Sequence, residues 1–267
     1  RGAGACARLS AAAAELRASG WPPVFAFALD DAWALVDEAF AAAAAVLGAD
    51  PGDLVLEPSF FAWALQPPGQ RGSARAGDSF GLPHRDYSHS EAMNEDGSVR
   101  LLSVWVPLSD ASPASGCIHI LPRGEDALWS RPSHPAHMRC ASASAEEDGG
   151  APCTEIRFPV HRARPVPAKA ASLLGWAGNT VHWGGACTSG EPRRSIAFTF
   201  LRERGGRRRL HGEGAGIPHA YLTREECAAL TTEERLRLCC RSVLLYSNWY
   251  RVDRSILPEV FWSAVGA

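Results

Sequence analysis

Residues 179–202 read NTVHWGGACTSGEPRRSIAFTFLR, and the second half of this stretch decides the fold. From Arg193 onward, Arg193, Ser195, Ala197 and Thr199 alternate with Arg194, Ile196, Phe198 and Phe200. A period of two is that of a β-strand whose two faces meet different surroundings. The face of one arginine among small residues leaves room for a ligand, and a guanidinium fork takes a carboxylate through two parallel hydrogen bonds. Arg193, rather than Arg194, is therefore the candidate carboxylate anchor. Eleven residues earlier stands His182, close after the apolar run ASLLGW (171–176).

Upstream, from Leu54, the chain is a series of short β-prone runs bounded by Pro and Gly: LVLEPSFFAWAL (54–65), LLSVWVPL (101–108), CIHIL (117–121) and TEIRFPV (154–160). Short strands with irregular links point to a sandwich or jelly roll. Ahead of them, residues 7–18 and 30–47 are rich in strong helix formers, with Asp30 the expected N-cap of the second helix. Behind them, Thr223 with Glu226 and Thr231 with Glu234 match the Thr-x-x-Glu capping box and open two helices over about 223–247. Residues 67–82 and 130–153, dense in Gly, Pro, Ser and charge, read as loops long enough to shape a substrate site. The expected organisation is a single domain over 1–267: a helical region 1–53, a jelly-roll core 54–202 and a helical extension 203–267.

His84 and Asp86 lie one residue apart, so on an extended segment both side chains project to one face. Alone, His-x-Asp is a common polar pair. Joined by His182 it supplies two imidazoles and one carboxylate, which on one side of an octahedral Fe(II) leave three positions for co-substrate and O2. His84, Asp86 and His182 are thus the candidate metal ligands.

Composition sets bounds. At 267 residues and 46% hydrophobic content the chain can bury a substantial core. A formal charge of -2 gives no general attraction to nucleic acid or an anionic membrane. No apolar run approaches the ~18–20 residues of a membrane span. The eight cysteines form no C-x-x-C pair and read as reduced thiols, which points to the cytoplasm or another reducing compartment. The chain opens at Arg1 rather than Met, which reads as a trimmed start from which a targeting peptide could be missing.

With Trp105-Val-Pro-Leu-Ser-Asp110 and Ser115-Gly116-Cys117-Ile-His-Ile-Leu121-Pro122 added to His84, Asp86, His182 and Arg193, the region from about Leu54 to Arg202 resembles the phytanoyl-CoA dioxygenase-like branch of the Fe(II)/2-oxoglutarate oxygenases. The resemblance implies a mainly β fold with flanking helices, the double-stranded β-helix or cupin-like jelly roll. It implies Fe(II), 2-oxoglutarate as co-substrate, O2, and ascorbate as a candidate reductant. It places Trp105 beside the co-substrate, and Gln66 where many relatives carry a Lys that touches 2-oxoglutarate; a core Trp and a solvent-facing strand end are the plainer alternatives. Because related halogenases replace the metal carboxylate with a small residue, Asp86 favours hydroxylation. The implied activity is hydroxylation of a small organic molecule with release of succinate and CO2. A non-catalytic jelly-roll binding module, or a cupin-type metal enzyme that does not use 2-oxoglutarate, are the alternatives; Arg193 argues against the second.

Among other residues, Tyr87 and His89 follow the metal motif and could line a pocket, though solvated loop is the commoner role. His119 takes the face opposite Ile118 and Ile120, which offers it either to the metal site or as an ordinary packed histidine. His134, His137 and His161 lack partners at zinc-like spacing. Arg202, Arg204 and Arg207–Arg209 form a basic cluster that tilts the small-molecule substrate toward anions. Nothing in the sequence fixes the oligomeric state.

Overall fold

The computed structural model describes residues 2–67, 82–134, 137, 139–140, 154–155, 157–202, 220–245, 255 and 257–265. In chain order the elements are α1 (Gly2–Ala18), α2 (Asp30–Leu47), β1 (Leu54–Leu56), β2 (Phe61–Leu65), α3 (His89–Ala92), β3 (Leu101–Pro107), β4 (Ile118–Ile120) and β5 (Arg139–Cys140). They continue with β6 (Thr154–Glu155), β7 (Arg164–Val166), β8 (Leu174–Ala177), β9 (His182–Gly184), β10 (Arg193–Arg202), α4 (Arg224–Ala229), α5 (Thr232–Leu245) and α6 (Leu257–Val265).

β10 organises the larger antiparallel sheet. β1 and β2 pair along one edge of it and β3 along the other, with β8 beyond β3. The run at 54–65 is two strands rather than one, because Pro58 offers no N–H to a ladder and the chain leaves the sheet after Glu57, whose amide still donates to Thr199 O at 2.9 Å. A second sheet has the order β7-β4-β9. Its edge strand β7 carries Pro165, tolerated at an edge and without a sequence signal of its own. The run at 154–160 contributes only the two residues of β6.

The alternation of β10 sorts the layers. Ile196, Phe198 and Phe200 belong to a core shared with α1, α2 and α5. Phe200 meets Phe40 at 4.6 Å between ring centroids, and Phe198 meets Phe27 at 6.5 Å. Full burial of one such side chain is worth roughly 1.5–3 kcal/mol, so this face welds the helices to the sheet. Arg194, on the same side, donates to Ser10 of α1. Trp105 of β3, Trp176 of β8 and Ile118 of β4 form a separate cluster between the two sheets, so the sheets face one another as a sandwich. The fold is thus mainly β with flanking helices, and the facing sheets do not close into a barrel.

Details at the helix ends refine the sequence expectations. Leu29 caps α2 and Asp30 is already its first helical residue, with an ion pair to Arg235. Both C-terminal capping boxes form: Thr223 and Glu226 at α4, Thr231 and Glu234 at α5. Cys6, Cys117, Cys187, Cys227, Cys239 and Cys240 are buried free thiols. Among the described residues no helix is long and apolar enough to cross a membrane.

Gly116 precedes β4 with φ of 92°, and a Cβ there would stand 2.5 Å from the Gly185 carbonyl oxygen. Next to it, Cys117 O accepts the Gly185 amide at 2.9 Å. Gly116→Ala is therefore expected to cost about 2 kcal/mol or more, from the left-handed backbone and the clash together. Urea unfolding checks this; an unchanged midpoint would contradict it.

Candidate metal centre

His84 and His182 are bound to each other through their backbones: each amide donates to the other's carbonyl, at 3.0 and 2.9 Å. This isolated bridge holds the segment before α3 against the first residue of β9, and the two rings lie 4.3 Å apart. Asp86 completes the group. Its Oδ1 is 3.4 Å from His84 Nε2 and 3.5 Å from His182 Nε2, and one ligand atom from each residue falls within 4.8 Å of the others.

The donors are aimed by their neighbours. His84 Nδ1 meets Leu82 O at 2.7 Å and His182 Nδ1 meets Thr180 O at 3.0 Å, so in each ring Nε2 is the atom presented to Asp86. An imidazole whose Nδ1 donates to a carbonyl carries its lone pair on Nε2, the ligand tautomer. On Asp86, Ser103 Oγ donates to Oδ2 at 2.6 Å and Trp176 Nε1 to the same atom at 3.3 Å, leaving Oδ1 toward the histidines. Burial pushes the His182 imidazole down to about 4, which keeps it neutral near neutral pH. Burial opposes ionisation of Asp86, but the two imidazoles and the Ser103 hydroxyl outweigh it and hold the carboxyl below its usual range. Metal–nitrogen and metal–oxygen bonds of ~2.0–2.2 Å put adjacent ligands ~3 Å apart. The two spacings to Asp86 are a few tenths of an ångström wider and all three donors lie within 4.8 Å, so the donor set fits one divalent ion.

Arg193 is buried on the inner face of β10, with Nη1 donating to Ser195 Oγ at 2.6 Å and its guanidinium carbon 5.4 Å from the Trp105 ring centre. Burial draws it down to about 10, and no carboxylate among the described residues pairs with it. Arg193 Nε and Trp105 Nε1 are both buried without a partner. Trp105 and Ser103 are i and i+2 neighbours on β3, where they pair with Ala197 and Thr199.

A family model for phytanoyl-CoA dioxygenase (PhyH) matches residues 35–195, more than half of the chain. The chain belongs to the phytanoyl-CoA dioxygenase family. The family match begins inside α2 and ends just past Arg193, so it contains every candidate site residue. No protein of curated function matches the chain by sequence. Among solved structures, the non-haem monooxygenase ThoJ in its apo form aligns over 75% of this chain and 70% of its own, at 17% identity and a TM-score of 0.50, a likeness of fold. EvdO2 from Micromonospora carbonacea var. aurantiaca, complexed with 2-oxoglutarate, aligns at 21% identity and a TM-score of 0.41 over 62% of this chain. SnoN, an α-ketoglutarate-dependent epimerase from nogalamycin biosynthesis, aligns at 20% identity and a TM-score of 0.41 over 63%. The chain spans 58% of the length of EvdO2 and 54% of SnoN.

Within this phytanoyl-CoA dioxygenase-family framework the other residues singled out by the sequence have the following surroundings. Leu65 pairs with Arg193, and Gln66 is the half-buried residue that follows it at the end of β2. Ile120 pairs with His182 and His119 with Trp183, so His119 takes the face away from the metal donors, stacked on Trp183 at 5.1 Å. Tyr87 turns its hydroxyl to Glu57. Glu57 also accepts from Ser59 at 2.7 Å, and burial raises it to about 7. His137 is buried, with Nδ1 at Leu128 O, while His134 and His161 are exposed. Arg202 donates to Leu47 O, and the rest of the basic cluster, with most of the 67–82 and 130–153 loops, lies outside the described residues.

Sequence reading passed over Ser103 and Trp176. The signal for Ser103 was present: it is the one hydroxyl in an otherwise apolar run, on the Trp105 face. Its removal should free Asp86 Oδ2 and weaken divalent metal binding about 10-fold, at the lower end of what supporting contacts are worth. Anaerobic Co(II) titration of Ser103→Ala measures this; wild-type affinity would refute the role.

Proposed function

We propose that this protein hydroxylates a small organic molecule, using 2-oxoglutarate and O2 and releasing succinate and CO2. His84, Asp86 and His182 hold Fe(II), and Arg193 anchors the distal carboxylate of 2-oxoglutarate. When bound, Fe(II) and 2-oxoglutarate supply the oxidation, dividing O2 between succinate and substrate with loss of CO2. The chain's own work is positioning. Ser103 and Trp176 fix the Asp86 carboxylate, and the backbone bridge fixes the two imidazoles. Trp105 covers the guanidinium and brings an unpaired indole N–H to the same space. Fixed donors of this kind lower the entropic part of a barrier.

One observation carries the reading: a preoriented two-histidine, one-carboxylate set occurs together with a buried guanidinium, over the ring of Trp105 two residues along β3 from the Ser103 that holds Asp86, that no acidic residue of the described chain neutralises. A cupin-type enzyme that ignores 2-oxoglutarate has no use for that guanidinium. Anaerobic titration of the Fe(II)-loaded protein with 2-oxoglutarate tests it through the visible charge-transfer band of the chelate. Appearance of the band supports the reading, and its absence in folded, iron-loaded protein refutes it. Succinate release across a substrate panel then tests hydroxylation, with product mass distinguishing oxygen insertion from desaturation or epimerisation.

A further inference from the structure

We propose that Arg85, between His84 and Asp86, is a positioning residue that clamps the first ligand segment to the one bearing His182. This rests on the metal-centre reading above. Arg85 is 3% exposed. As the residue between two that project toward the metal donors, it points the other way, behind the centre. There Nη1 donates to Asp126 Oδ2 at 2.8 Å and to Asn179 O at 2.5 Å, and Nε donates to His137 O at 3.2 Å.

These acceptors belong to the segments that define the site. Asn179 lies three residues before His182, and Thr180 O, in the same turn, orients the His182 ring. Asp126 follows β4 and is itself fixed by the Leu128 amide on Oδ1 at 3.0 Å. Leu121, at the end of β4, donates to Val181 O. A single guanidinium thus joins the 84–86 segment, the 179–182 segment and the 126–137 stretch from behind, while the His84–His182 bridge joins the first two in front.

Stability alone is a poor reason for such a pair. Two charges buried at 0% and 3% side-chain exposure recover little beyond their desolvation cost, and apolar replacement of both partners is often neutral. What an apolar pair could not supply is directed bonding: Nη1 to Asp126 and Asn179 and Nε to His137, three bonds that reach two segments besides its own. Metal ligands need placement to within about half an ångström, and a rigid fork between two of them provides it.

The test separates placement from stability. Arg85→Met strands the Asp126 carboxylate and is expected to melt lower. Arg85→Met/Asp126→Leu removes both charges and is expected to recover melting while Co(II) affinity stays 10- to 100-fold below wild type. Arg85→Lys keeps a charge opposite Asp126 without the fork and should fold with an intermediate loss. Should the double variant fail to fold, the Lys variant decides, since wild-type Co(II) affinity there would overturn the clamp. A folded double variant with wild-type affinity would overturn the clamp and leave the metal centre standing. Failure of the wild-type protein itself to bind Co(II) would overturn both.

Discussion

His182→Ala is expected to abolish succinate formation and to lower divalent metal affinity by more than 100-fold. Supporting contacts around a metal are worth about 10- to 100-fold, and a ligand must exceed them. His182 is 4% exposed, its Nε2 is aimed at the centre by Thr180 O, and its neutral state removes the need to displace a proton when metal binds. The backbone bridge to His84 survives the substitution, so the fold has no reason to fail with the site. His119→Ala is the matched control: a half-buried histidine on the other face of the same sheet, expected to leave Co(II) binding unchanged. Full activity in His182→Ala would refute the ligand set.

What could be read from the sequence followed from where two faces of one element meet different surroundings. β10 was legible because Phe198 and Phe200 bury under helices while Arg193 and Ser195 face the inner space, so its pattern of two is sharp. β7 was not, being three residues at an edge with a proline in the middle. The same limit explains His119. Alternation tells which residues share a face but not which face is inner, and only the pairing of Ile120 with His182 decides that. Ser103 and Trp176 reach Asp86 from 17 and 90 residues away, and Arg85 reaches Asp126 and Asn179 across 41 and 94. Such contacts depend on how the two sheets are laid over each other, which no local spacing encodes.

Arg193→Met is expected to move co-substrate affinity and stability in opposite directions. Two charge-assisted hydrogen bonds at about 1.5–3 kcal/mol each make the loss of 2-oxoglutarate binding on the order of 10²- to 10⁴-fold. In the protein without co-substrate, however, Arg193 is a buried cation with a hydroxyl partner at Ser195, a ring face at Trp105 and no acid among the described residues, and burial already pulls it down to about 10. An unpaired buried charge costs stability, and Met fills a comparable volume without it. The variant should therefore melt at or above the wild-type temperature without 2-oxoglutarate and lose the rise that 2-oxoglutarate gives the wild type. A structural arginine would behave in the reverse way, with a lower melting temperature and an intact ligand response. Thermal melts of both proteins with and without 2-oxoglutarate, in the presence of Co(II), separate the two, and a destabilised variant that still responds to 2-oxoglutarate would remove Arg193 from the co-substrate site.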